Sequence, residues 1–395
     1  MTPVELSRTL QHAVRRAVDE GKLDVTVPER VLVAPPGPGG CGEYATNLAL
    51  QLAKPAGRPP RGVAEVLRPY LTDVDGITDV VVTGPGFLNF SLAPAAPAAL
   101  VRDVLRLGPR YGHLDHAEHQ EDTRGSQGPH DQSVHLRCLP EIRAVVVMDT
   151  VARLMRARGA LVRTTCAAPL PEEWVTGLGV RVDAVGEPTG VPASSETVTI
   201  KPVPAGGDPG AVLALGRDAA RWALLHPAAH DRVRVSGEHL VQRESNPLFR
   251  VRYAHARCRR LLRNAADLDF TPEAGPTTDS MADSTTDSMA TGPTTGTVAG
   301  GPTTGTDTHS APLLTLLADH PRTLGAAARH RAPDRLARHL VVVADAVLPL
   351  LPAVLPFGDE KPSAAHRARL ALAAAAGAVL AGGLSLLGID APEHL

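Results

Sequence analysis

Residues 133–166 read SVHLRCLPEIRAVVVMDTVARLMRARGALVRTTC, and this stretch decides the fold of the middle of the chain. SVHLRC is strand-like, residues 140–158 are strongly helical in pattern, and ALVRTTC is strand-like again. A strand, a helix and a second strand in that order outline one β-α-β unit with a parallel sheet. Further short strands are expected at 178–184 and 196–203, and a helix at 209–225 leads into Pro227. Towards the N-terminus, helical patterns at 3–20, 43–54, 61–72 and 95–107 alternate with β-rich runs at 30–34, 77–83 and 86–92, which predicts a compact α/β unit. Residues 108–133, rich in Gly, His, Asp and Pro, read as an exposed linker. Towards the C-terminus the chain is helical at 238–268, 312–330, 333–354 and 363–388. A low-complexity insert at 271–311 interrupts it, with TTDSMA and GPTTGT each occurring twice. The insert has almost no bulky apolar residues to repay ordering entropy, so it is expected to be disordered.

Composition narrows the function classes. The 395 residues carry 40 basic and 42 acidic side chains, a net charge of −2. That excludes a nucleic-acid binder driven by bulk charge, while leaving local basic strips open. All the cations but Lys22, Lys54, Lys201 and Lys361 are arginine, amid abundant Ala, Gly and Pro, so arginine enrichment alone is no phosphate-binding signal. The four cysteines, Cys41, Cys138, Cys166 and Cys258, form no Cys-x-x-Cys pair, which argues against a zinc ribbon or a disulfide framework. The first residues start an amphipathic helix, with Thr2 and Glu5 as a capping box, rather than a signal peptide. A cytoplasmic, reducing location is expected. Residues 370–389 are uncharged for about the length that spans a bilayer. Their Ala and Gly content and the helical spacing of Leu380, Leu384 and Leu387 read instead as a buried bundle helix, so no membrane partner is expected.

Two motifs are decoys. Gly37 to Gly42 matches G-x-G-x-x-G after a strand, but no acidic residue ends the next strand to hold a ribose, and prolines stiffen the loop. His113, His116 and His119 stand among Asp115, Glu118, Glu121 and Asp122 at metal-ligand spacing, yet the glycines around them favour an exposed polar loop, so no metal is expected. No Walker motif and no Ser/His/Asp or Cys/His arrangement stands out. Cys138 and Cys166 end apolar strands and read as core.

Three blocks carry chemistry. The first is Glu43-Tyr44-Ala45-Thr46-Asn47-Leu48-Ala49 with Gly84-Pro85-Gly86-Phe87-Leu88-Asn89-Phe90. The second is Asn246-Pro247-Leu248-Phe249 running into Val251-Arg252-Tyr253-Ala254-His255-Ala256-Arg257. The third is Leu386-Leu387-Gly388-Ile389-Asp390-Ala391-Pro392-Glu393-His394-Leu395. In this order they resemble the arginyl-tRNA synthetases, whose added N-terminal domain has "D/E-Y-A-T-N-x-A" and "G-P-G-F-I-N-F". That family's anticodon-binding bundle opens on "N-P-x-x-Y-V-Q-Y-A-H-A-R" and closes on "L-L-G-I-x-A-P-E-R-M". The resemblance implies that the first domain faces the outer corner of tRNA, where Phe87 would stack a base and Asn89 would bond its edge. Core packing is the reading preferred for Phe90, and for Phe87 and Asn89 it stands level with base contact. The same resemblance brings Arg252, Tyr253, His255, Arg257 and Arg260, with Arg259 and Arg263, near the anticodon stem-loop. A solvated charged face is the rival reading there. The closing Arg and Met of the family are here His394 and Leu395.

The catalytic signatures of the family are altered. Cys138-Leu139-Pro140-Glu141-Ile142-Arg143 running into Asp149-Thr150-Val151-Ala152-Arg153-Leu154 resembles "H-V-G-H-L-R … D-A-L-A-R-L". Cys138, Pro140 and Glu141 therefore stand where His, Gly and His are expected. Proline denies the close approach that glycine permits, and glutamate puts negative charge near a triphosphate. Before Gly216-Arg217-Asp218-Ala219-Ala220-Arg221, which resembles "G-x-D-A-A-R", the family's Lys-Met-Ser-Lys-Ser loop reduces to Lys201 alone. Between Cys166 and Glu196 the interval is too short for a full catalytic sheet.

The expected architecture has three parts. They are an α+β N-terminal domain (1–110), a linker with a truncated Rossmann-like α/β remnant (111–235), and an all-α anticodon-binding helical bundle (236–395). The function this implies is non-catalytic binding of tRNA, of the arginine type, in a regulatory or delivery role, with no catalytic residues, no cofactor and no DNA. An arginine–tRNA ligase or another transferase using charged tRNA is the alternative, and only then would ATP be a cofactor. A protein-interaction scaffold is the third. Oligomeric state is open.

Overall fold

The structure is a computed structural model describing residues 3–29, 31–34, 36–37, 40–42, 44–72, 74, 76–92, 96–114, 133–186, 195–277, 307–358 and 360–395. The chain forms two compact units, residues 1–103 and 104–395. The second unit holds both the parallel sheet and the C-terminal helices.

In the first unit the order is α1 (Pro3–Asp19), β1 (Tyr44–Thr46), α2 (Leu48–Ala53), α3 (Pro60–Leu67), α4 (Pro69–Thr72), β2 (Ile77–Thr83), β3 (Phe87–Leu92) and α5 (Ala96–Leu107), which runs into the second unit. The three strands form an antiparallel sheet in the order β1-β3-β2. Phe90 of the central strand faces Tyr44 and Val80 and is wholly buried among Leu6, Leu10, Leu48 and Leu67. The helix expected over 43–54 is instead a strand followed by a short helix. Tyr44, Ala45 and Thr46 pair with Phe90, Asn89 and Leu88, and Thr46 Oγ1 donates to Leu32 O at 2.6 Å while accepting from Leu48 N. The strand expected at 30–34 reduces to one bridge, Ala34 with Ala45.

The second unit continues with β4 (Ser133–Cys138), α6 (Ile142–Ala157), β5 (Leu161–Cys166), α7 (Glu172–Leu178), β6 (Ala184–Val185), β7 (Glu196–Ile200), α8 (Pro209–Leu213) and α9 (Gly216–Leu225). Then come α10 (Pro247–Asp267), α11 (Asp307–Arg329), α12 (Pro333–Val347) and α13 (Ala364–Leu387). The sheet is parallel throughout, in the order β6-β5-β4-β7, with Cys138 registered against Cys166. The strand expected at 178–184 shrinks to two residues because Gly179 caps α7 in the left-handed region and Asp183 bonds to β5. The Asp183 carboxylate accepts from Thr164 N and Oγ1 at 2.8 and 2.9 Å. Helix α10 starts nine residues later than the pattern suggested. Asn246 caps it, accepting from Leu248 N while its amide donates to His239 O and Val241 O. Helix α12 ends at Val347, two residues before Pro349, which lacks the N–H that a continuing helix needs.

Helix α13 has a mean hydropathy of 2.1 over its most apolar window, and 83% of that window is buried within the protein. Its small residues follow from close packing. A Cβ on Gly383 would collide with the Leu340 side chain, and one on Gly382 with the Pro109 carbonyl. Two wholly buried arginines tie the helices of this unit to one another and to the segments after β7 and α9. Arg143 donates to the carbonyls of Val203, Leu224, Pro227, Ala228 and Asp231. Arg221 donates to Asp149 at 2.7 Å, to Thr150, and to the carbonyls of Leu178 and Leu387. Because Asp149 lies on α6 and Leu387 ends α13, this network locks the parallel sheet and the bundle into one body. The disorder expected over 271–311 lies outside the described residues for 278–306. At its far end, residues 307–311 are helical and open α11.

Candidate functional site

Two places in the second unit present charge at a helix. At the first, β4 delivers Cys138, Leu139 and Pro140 to the start of α6. Cys138 is buried, and desolvation together with the Cys166 thiol beside it keeps it a neutral thiol. Pro140 is exposed. Glu141 is the N-cap of α6: Oε2 accepts from Ala144 N at 2.7 Å and Oε1 from Ala205 N at 3.1 Å. The free N–H groups and the macrodipole of a helix N-terminus attract anions, and here the chain supplies that anion itself. Lys201 lies exposed just past β7.

The second place is the outer side of α10. Phe249 and Tyr253 stack at 5.5 Å between ring centroids, and the Arg257 guanidinium lies 5.7 Å from the centre of the Tyr253 ring. These three residues are spaced four apart, so they form a ladder on one face. Arg252 is paired with Asp218 at 3.4 Å, whereas Arg260 is exposed and makes no ion pair among the described residues. His255 is buried, with Nδ1 3.0 Å from Pro392 O, and desolvation lowers its pKa, so the ring is neutral and donates to that carbonyl. Arg259 and Arg263 both reach Glu393, which lowers the pKa of that carboxyl group. A cleft of about 320 Å³ adjoins the ladder, lined by Arg217, Asp218, His239, Asn246, Phe249 and Arg252 among others.

Of the expected site residues, Arg252, Tyr253, Arg257 and Arg260 lie on α10 as accessible groups, and His255 points inward. Phe249, Arg217 and Glu393 were missed. The Phe249–Tyr253 spacing could have revealed the first, but the others join α10 only through tertiary contact. In the first unit Phe87 is 39% exposed at the start of β3. Asn89 is buried, with its amide donating to Val81 O, Thr83 Oγ1 and Phe87 O and its oxygen accepting from Cys41 N. Its polar groups are therefore spent on holding the β2–β3 end and the preceding loop. Among the described residues no cluster of three or more His, Cys, Asp or Glu could hold a metal. Glu43, Gly39 of the glycine motif, and residues 115–122 of the histidine motif lie outside those residues.

The second unit joins a parallel sheet to a helical bundle, and the first carries a small antiparallel sheet, an architecture shared with solved synthetase structures. The arginyl-tRNA synthetase N-terminal domain family matches residues 5–92, and the DALR anticodon-binding domain family matches residues 251–395. A Frankia alni protein named arginine–tRNA ligase is 27% identical over 587 aligned positions, covering all of both chains. As this chain has 395 residues, about a third of those positions are gaps in it. A Renibacterium salmoninarum protein of the same name is 37% identical over 54% of this chain and 37% of its own. The Thermus thermophilus arginyl-tRNA synthetase structure superposes over the full length of both chains at a TM-score of 0.62 and 15% identity, which shows a shared fold. The chain belongs to the arginyl-tRNA synthetase family, with its N-terminal and DALR anticodon-binding domains.

Proposed function

We propose that this protein is a non-catalytic, tRNA-binding relative of arginyl-tRNA synthetase that takes arginine-type tRNA in a regulatory or delivery role. The observation that carries this reading is Glu141. In the register of the family resemblance it stands where a histidine would face the nucleotide, and its carboxylate bonds the α6 N-terminus and Ala205 N. A triphosphate would have to displace an anion tethered to the helix itself, against like charge. Pro140 brings a ring, and Lys201 is the sole lysine near the second signature. The shortfall in length supports the same reading, since about a third of the positions aligned with the Frankia alni protein are gaps in this chain.

The binding side of the reading rests on the DALR match and on the α10 ladder. Exposed arginines there suit phosphates, and the Phe249–Tyr253 pair suits unstacked bases. The end-to-end alignment with a protein named arginine–tRNA ligase favours the alternative, a divergent ligase. Arginine-dependent ATP–pyrophosphate exchange, run beside filter binding of a tRNA panel over a salt series, separates the two. The expected result is no exchange above background together with salt-dependent tRNA binding. Exchange above background would overturn the non-catalytic reading.

A further inference from the structure

The segment after α13 lies back along α10, and its two ends are held differently. Its root is pinned by His255 to the Pro392 carbonyl and by the backbone N–H of Asp390, which donates to Asp218. Its tip is held by two arginine side chains, mainly through the Glu393 carboxylate, with Arg263 also donating to the Glu393 carbonyl at 3.4 Å. Glu393 Oε1 accepts from Arg259 at 3.1 and 2.6 Å and Oε2 from Arg263 at 3.3 Å, while Arg263 also approaches His394. Arginine forks bind carboxylate and phosphate through the same geometry. The three side chains are 37–52% exposed, so water reaches the pair and its exchange for another anion is cheap. Arg259 and Arg263 share a face of α10, with exposed Arg260 beside them.

We propose that residues 389–395 form an exchangeable strap in which Glu393 holds the place of a nucleic-acid phosphate on Arg259 and Arg263 and yields it when RNA binds. This rests on the tRNA-binding reading above and adds a regulation to it. RNA affinity is set partly by the cost of lifting Glu393, while the His255–Pro392 anchor keeps the strap in place.

The test compares the full chain, the Glu393→Gln variant and a control, Asp267→Asn, which removes one exposed acid elsewhere on α10. tRNA Kd values are measured by filter binding at low salt, and tripolyphosphate binding is measured by calorimetry. Glu393→Gln is expected to tighten tRNA binding by about threefold to tenfold, and Asp267→Asn to change it less than about twofold. If the wild-type chain binds tRNA and Glu393→Gln binds it no more tightly, the strap is overturned and the tRNA reading stands. If no variant binds tRNA, tighter tripolyphosphate binding by Glu393→Gln supports the strap and removes the tRNA reading. Equal tripolyphosphate binding in that case removes both.

Discussion

The N-terminus of α6 and the outer face of α10 are both suited to anions, and the protein fills both with its own carboxylates. Glu141 sits one residue ahead of the helix it caps, and its two oxygens take the backbone N–H groups of Ala144 and Ala205. Glu393 comes from the far end of the chain and meets exposed arginine side chains that water can serve equally well. The first carboxylate is part of the local fold; the second is a loosely held guest. That difference is why α6 reads as a closed site and α10 as an open one. The two stand in one body because Asp149 and Arg221 join α6 to the end of α13.

Breaking that shared frame should have the largest effect. Asp149→Ala leaves Arg221 buried without its counter-charge and is expected to cost about 3–5 kcal/mol in urea denaturation. A cost under about 1 kcal/mol would show that the sheet and bundle are not locked by this pair. Acid should act on the bundle next. His320 and His339 stack at 5.2 Å and are buried, with pKa lowered by desolvation, that of His339 to about 4. The folded state keeps these rings neutral, whereas the unfolded chain protonates below about pH 6.5. Their contribution is therefore complete above about pH 6.5 and drains as pH falls towards 4, by about 3 kcal/mol for His339 alone. The Tm should fall over that range, and less so in a His320→Phe/His339→Phe variant.

The sequence made some of this legible and hid the rest for physical reasons. The β4-α6-β5 unit could be read directly, because each element is a single uninterrupted pattern. The stretch 43–54 could not, since Tyr44 to Thr46 become a strand only by pairing with β3 more than forty residues away. The Tyr253 and Arg257 spacing was visible along one helix. Glu141 with Ala205 spans 64 residues and Arg259 with Glu393 spans 134, so neither contact has a local signature. Asn89 was legible as a motif residue, but whether its amide faced a base or its own strands depended on the loop packed over it.

Two smaller effects sharpen the contrast between the carboxylates. Glu141→Ala should destabilise the protein by about 1–2 kcal/mol through the lost cap, measured by denaturation, where Glu393→Gln should change stability by less than about 1 kcal/mol. Arg260→Ala should weaken tRNA binding uniformly across sequences and reduce the salt slope by about one, measured by filter binding. An unchanged slope would remove Arg260 from the phosphate-contacting face.

The most direct measurement is arginine-dependent ATP–pyrophosphate exchange by the intact protein in the presence of tRNA. A chain whose α6 N-terminus is filled by Glu141 should give no exchange above background while still retaining tRNA in a salt-dependent manner. Exchange that rises with arginine and is lost without it would contradict the closed site.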